Sequence, residues 1–282
     1  MQIRPMRPDD IDSAEQITAR AYASSSPDGL STRNPDQQQR WTTRLAHLLG
    51  TDAGGCWMAE LDGRSVGVAV ALRRDLLWVL SSFAVHPDAQ GRGAGAALLD
   101  AALGYGAGCL RGLICSTADP RAVLRYRRAG FTINPTMQLR GTVNPAAVPI
   151  TEGVRTGSAG DLDLVDSVDR QVRGATHRPD HRLINGYAKL LICDTLTGTG
   201  YAYVDGPRVA LLAATNRNVA QRLLWVALSR SGGEAVVRSL TADQDWALDV
   251  GLAAGLDVER DAYLALRHMR PPAPYIPSVH FG

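Results

Sequence analysis

The sequence predicts an α+β protein of two related domains, each with a mixed central sheet and flanking helices. Three observations lead there. The chain has 282 residues, and a single core rarely grows past about 250–300 residues before it splits. Short pieces recur in the same order in both halves. The first half reads as hairpin strands followed by strand, loop, helix, strand and helix. Composition is that of a globular chain, 45% apolar and 21% charged, with a formal net charge of +2. So even a balance leaves no basic footprint for nucleic acid or an anionic membrane. Lys189 is the sole lysine, and the arginine excess reads as composition.

The repeat is carried by small units. Arg4 and Asp10-Ile11-Asp12 recur as Arg155 and Asp161-Leu162-Asp163, an offset of 151. An amphipathic run follows each: Ala14, Ile17 and Ala21, then Leu164, Val165 and Val168. Ala129-Gly130-Phe131 returns as Ala254-Gly255-Leu256, an offset of 125, so the second copy is about 26 residues shorter. The expected organisation is a domain over 1–140, a linker over 141–151, a second domain over 152–270, and an extended tail over 271–282. Four prolines forbid a helix in the tail. Its Tyr275 and His280 are candidates to cap a cleft, of this chain or of a partner copy.

Within the first half, Cys56–Leu61 and Val66–Leu72 form a hairpin across an Asp62-Gly63 turn. Leu76–Val85 is a long apolar strand, His86–Gly95 a glycine-rich loop and Ala96–Leu103 a helix. Leu110–Ser116 is the next strand. Asp119-Pro120 opens a helix as cap and first residue, and Gly130 closes it. Glycines in a strand-to-helix loop let backbone amides converge on an anion at the helix N-terminus. The loop lacks the Lys-Ser/Thr of a Walker loop, and Gly91-x-Gly93-x-Gly95 does not fit GxGxxG.

The run Gln90-x-x-Gly93-x-Gly95, after Phe83-Ala84-Val85-His86-Pro87, resembles the acetyl-CoA loop of the GNAT superfamily of N-acyltransferases. Ala122 to Phe131, with Tyr126 four residues before Gly130-Phe131, resembles the family's next helix. The match covers 1–140 well and 152–270 weakly. It implies two mostly antiparallel GNAT-like domains and acetyl-CoA as co-substrate. It places the pantetheine arm on Phe83, Ala84 and Val85 and the pyrophosphate on Gln90, Gly91, Arg92, Gly93, Ala94 and Gly95. Asp119 joins them as a cofactor-binding candidate. Arg125, Arg127 and Arg128 read as a solvated helix face, with cofactor phosphate as the other option. Tyr126 is implied as the general acid that protonates the leaving sulfur. The family's base position falls on Val79, which carries no proton acceptor.

The second half lacks the cradle. An offset of 126 puts Gln90, Gly91, Gly93 and Gly95 onto Asn216, Arg217, Val219 and Gln221, and an offset of 125 puts Tyr126 onto Gly251. This copy is expected to be degenerate, whereas in some tandem members the C-terminal half is the live one. Asp166, Asp169, Arg170, Arg173, His177, Asp180 and His181 cluster in 16 residues. Their spacing predicts a salt-linked, solvated helix face; an acceptor pocket is the rival reading. No metal site is expected, since His177 and His181 have no HExxH glutamate between them and Pro179 breaks the helix.

Cys56, Cys109, Cys115 and Cys193 have no CxxC spacing, and neither a signal peptide nor an apolar run of about 18 residues appears. A cytoplasmic location is therefore expected. The reading is an acetyl-CoA-dependent N-acetyltransferase acting on a small-molecule amine in preference to a protein, with no nucleic acid or membrane partner. The alternative is a non-catalytic acyl-CoA-binding sensor or interaction module.

Overall fold

The computed structural model describes residues 1–24 and 33–282. It is an α+β fold with a mixed, mostly antiparallel sheet flanked by helices. Two compact units appear, one of residues 1–73 and 78–110, the other of residues 74–77 and 111–282.

The first unit runs β1 (Gln2–Pro5), α1 (Ile11–Ala23), α2 (Pro35–Thr51), β2 (Cys56–Leu61), β3 (Arg64–Arg74), β4 (Leu77–Val85) and α3 (Ala94–Tyr105). Its sheet order is β1-β2-β3-β4. The β2–β3 turn is the expected one: Asp62 and Gly63 both take positive φ, 51° and 75°, as a two-residue hairpin turn requires. β4 is buried on both faces over most of its length, which is why its sequence is continuously apolar rather than alternating. α3 packs behind it, and the Trp78 indole donates to the Ala102 carbonyl at 2.9 Å. Ala14, Ile17 and Ala21 are buried along α1.

The second unit contains β5 (Arg111–Ser116), α4 (Pro120–Arg128), β6 (Thr132–Thr142), β7 (Val154–Thr156), α5 (Leu162–Val172) and α6 (His181–Asn185). It continues with β8 (Lys189–Thr195), β9 (Gly198–Asp205), β10 (Arg208–Ala214), α7 (Arg217–Ser229), β11 (Glu234–Leu240), α8 (Asp245–Ala253), β12 (Asp257–Arg267) and β13 (Tyr275–Ile276). Its strand order is β5-β12-β6-β11-β10-β9-β8-β7, with β13 added to β10. The two sequence halves exchange strands here. β12, from the second half, pairs with β5 and β6 of the first, and β6 pairs onward with β11. The core gathers Leu139, Leu191, Leu212, Leu223, Leu224, Trp246 and Val250.

The repeated pieces are the same device built twice. In the first half, Arg4 makes a two-pronged pair with Asp10, and Asp10 accepts from the Arg7 amide. In the second, Arg155 pairs with Asp161 in the same way, and Asp161 accepts from the Ser158 amide. Each aspartate ends a single 3-10 turn that opens the following helix. Gly130 and Gly255 take φ values of 86° and 87°. The amides behind them close the helices identically, Phe131 to the Tyr126 carbonyl and Leu256 to that of Gly251. Glu60 on β2 is the other partner of Arg4.

Candidate active site

The amide of His86 donates to Val66 on β3 at 2.8 Å. Alternate residues of an antiparallel strand point their polar groups to opposite edges. Phe83 and Val85 therefore turn theirs to the edge away from β3. The Val85 carbonyl accepts from the Gln90 side chain at 3.0 Å, a clasp that fixes where the loop leaves the strand. A 3-10 turn over Pro87–Ala89 follows. Gly91 and Gly93 then adopt left-handed backbone, φ 80° and 89°. Gly93 is the N-cap of α3 and, among the described residues, no side chain caps that helix. Ala94 and Gly95 are buried beneath the first turn. The unpaired first-turn amides and the helix dipole favour an anion, so the residues present fit a phosphate group. Beside the loop lies a cleft of about 930 Å³, with Arg20, Arg64, His86 and Arg92 among its lining residues.

α4 belongs to the second unit. Asp119 caps it, accepting from the Arg121 amide at 2.8 Å, and also meets the Arg121 guanidinium. Burial works to raise the Asp119 carboxyl, but the Arg121 bonds outweigh it and hold the group below its ordinary value. Its carboxylate is thus committed to the helix start. Tyr126 is the buried residue of α4, with its ring edge-on to Phe131 at 6.4 Å. Arg125 donates back to the Arg121 carbonyl and Arg127 forward to that of Phe131.

The corresponding places of the second half are closed. β10 reaches α7 through two residues, Thr215 and Asn216. The Asn216 side chain caps α7 by accepting from the Val219 amide at 3.0 Å, where α3 has only Gly93. At Gly251, the counterpart of Tyr126, a side chain would meet Leu139 at 2.5 Å. β10 and β11 pair in parallel at Arg208–Val236 and Val209–Val237. Farther along, β10 pairs instead with β13 of the tail, Leu212 with Ile276 and Ala213 with Tyr275. The tail therefore lies on its own chain. Gln244, at the position matching Asp119, grips it at both sides, donating to the Pro272 carbonyl at 2.8 Å and accepting from the Tyr275 amide at 3.1 Å.

The tail ends on the charged cluster, and here the expectation of a solvated face is overturned. Asp166, Asp169, Arg173, His177, Asp180 and His181 are all buried, and of the seven only Arg170 is exposed. Isolated burial of such groups is prohibitive, so each has a partner. Asp169 accepts from the backbone amide and ring of His177 and from the Tyr201 hydroxyl. Arg173 donates to the carbonyls of Ala175, Thr176 and Phe281. Asp180 meets Arg74 at 2.6 Å. Asp166, Asp169 and His181 bring possible ligand atoms within 4.8 Å of one another. Arg178 already sits on Asp166 at 2.6 Å, and a guanidinium there disfavours a cation. The partners come from remote segments, which is why local spacing misread the cluster. The four cysteines are free, and burial pushes the Cys56 and Cys115 thiols up to about 12, far from a reactive thiolate.

Deleting residues 271–282 is expected to cost on the order of 5 kcal/mol, because Tyr275, Ile276 and Phe281 lose full burial. Thermal melting of the truncated chain checks this.

Comparison with known proteins gives the family. Residues 15–131 match the model of the acetyltransferase (GNAT) family. A mycothiol acetyltransferase from Clavibacter michiganensis subsp. michiganensis is 31% identical over 229 residues, covering 77% of this chain and 71% of that one. The chain belongs to the GNAT acetyltransferase family. Among solved structures, a candidate acetyltransferase from Pyrococcus horikoshii has a TM-score of 0.77 at 18% identity, covering 100% of this chain and 95% of its own. A tandem GNAT protein from the clavulanic acid biosynthesis pathway has a TM-score of 0.60 at 15% identity, covering 94% of this chain and 97% of its own. Over nearly its whole length the chain thus shares the fold of that tandem GNAT structure. Among its described residues, no helix is long and apolar enough to cross a membrane.

Proposed function

We propose that this chain moves an acetyl group from acetyl-CoA to the amine of a small molecule, using residues 1–140 for binding and chemistry. Residues 152–270, after a linker over 141–151, act as a copy that shapes the acceptor site. The observation that carries the reading is the uncapped, glycine-framed start of α3 in the loop that follows β4. Amides from Gln90 to Gly95 hold the pyrophosphate there, and the polar groups of Phe83 with the Val85 amide hold the pantetheine arm as an added strand would. When bound, acetyl-CoA supplies the activated acyl group. Tyr126 gives its hydroxyl proton to the departing sulfur, and the amine loses its proton to water. The near-neutral charge of the chain suits a small acceptor, and its four free thiols suit a reducing compartment such as the cytoplasm.

Thiol release from acetyl-CoA, measured against a panel of amines that includes the acceptor of the mycothiol acetyltransferase relative, tests this. An amine-dependent rate is the expected result. A second reading, a non-catalytic acyl-CoA sensor, is favoured by one residue: Val79, at the family's base position, is buried and apolar. Tight acetyl-CoA binding without thiol release for any amine would select it. One acetyl-CoA per chain is the stoichiometry expected by titration calorimetry, since the tail and Asn216 close the second half. Gly93→Ala is expected to weaken that binding on the order of tenfold, because a left-handed backbone costs an L-residue about 1–2 kcal/mol.

A further inference from the structure

We infer that the cleft beside the phosphate loop binds a phosphate ester of a polar small molecule, at a place separate from the strand edge assigned to acetyl-CoA. The cleft, about 930 Å³, opens between α1, the β2–β3 turn and the end of β4. Ser13, Gln16, Ile17 and Arg20 line it from α1. Spaced at i, i+3, i+4 and i+7, they form one stripe of that helix. Arg64 and Ser65 come from the start of β3, and His86 and Arg92 from the segment after β4.

The cations of this cleft are not spent on the chain's own carboxylates. Arg20, Arg64 and Arg92 all line it, and among the described residues none of the three meets a carboxylate. Arg4 and Arg33, in the same unit, both do. Two carboxylates also line the cleft. Asp88 lies beside the His86 ring, 3.7 Å from Nδ1, and Asp62 sits in the exposed hairpin turn at φ 51°.

His86 marks where an anion fits. The Arg20 guanidinium lies 3.2 Å from its Nε2, and the Asp88 amide donates to its Nδ1 at 3.3 Å. A neutral imidazole has one lone pair and one N–H. With Nδ1 accepting from Asp88, Nε2 turns its hydrogen toward a guanidinium that can only donate. An anionic oxygen between them accepts from both and leaves neither donor opposed. Guanidinium forks match phosphate oxygens, and three of them with one imidazole N–H suit the dianion of a phosphate monoester. The hydroxyls of Ser13 and Ser65 and the Gln16 amide fit the rest of the cleft to a hydrogen-bonding body such as a sugar. The cleft lies on the β3 side of β4, where the His86 amide bonds Val66. Phe83 and the Val85 amide turn to the opposite edge.

Titration calorimetry of the full chain, saturated with CoA, tests this with two probes, inorganic phosphate and glucose 6-phosphate. One equivalent of glucose 6-phosphate is expected to bind while CoA stays bound, and to bind more tightly than inorganic phosphate. Arg20→Gln and Arg64→Gln, both at exposed positions, should each weaken that binding about tenfold or more and leave CoA affinity within about twofold. Competition between either probe and CoA, equal affinity for the two probes, no binding of either, or undiminished binding to both variants overturns the inference. A chain that fails to bind CoA overturns the acetyl-transfer reading alone, since the two arginine variants still read the cleft.

Discussion

Tyr126→Phe is expected to lower turnover by about 10²–10⁴, the range that a positioned general acid contributes, and to leave acetyl-CoA binding unchanged. The substitution removes one oxygen and nothing else. The ring is buried and packs edge-on against Phe131, so the phenyl group keeps its contacts and α4 keeps its Asp119 cap. The step that suffers is departure of the thiolate, which must now leave unprotonated or take a proton from water. Two readouts separate this from a structural effect. Melting temperature should change little, and calorimetric affinity for acetyl-CoA should hold within about twofold. The deficit should also shrink with an acyl donor whose leaving thiol is more acidic, because a better leaving group needs less help. An equal deficit for both donors would remove Tyr126 from the acid role.

What could be read from the sequence were features whose causes are local. Arg4–Asp10 and Arg155–Asp161 recur because an ion pair across one 3-10 turn demands the same spacing wherever it is built. The helix ends at Gly130 and Gly255 are legible because only glycine takes that left-handed backbone cheaply. Gly91 and Gly93 in the phosphate loop are legible for the same reason. The strand exchange of β6 and β12 was not, since pairing partners more than 100 residues apart leave no mark on local periodicity. The prolines make the tail extended, but its seat beside β10 depends on the parting of β10 from β11 and on Gln244. For the charges from Asp166 to His181 spacing alone points to solvent, while their burial is set by Arg74, Tyr201 and the tail.

Those buried charges carry the largest stability effect. Asp169→Ala is expected to cost about 3–5 kcal/mol, the loss seen when one member of a buried charged set is removed and its partners are stranded. Here His177, Arg173 and the Tyr201 hydroxyl lose their shared carboxylate in a fully buried site. Against a total stability of about 5–15 kcal/mol, that decides whether the chain accumulates folded. The same cluster sets an acid limit. His181 is held below its ordinary value of 6.5, by burial first and by the nearby His177 second. Burial works to raise Asp169, but His177, Arg173 and Tyr201 outweigh it and keep the carboxyl below its ordinary 3.8. Both groups bind protons more readily unfolded than folded, so both contributions are complete above the unfolded value and are lost as pH falls. Melting temperature should hold steady from pH 8 to 7, fall once pH drops below about 6.5 as His181 titrates, and fall again below about 4. His181→Asn should flatten the first decline and leave the second. A melting temperature that rises on acidification through 6.5 would mean that the cluster gains, and does not lose, stability from protons.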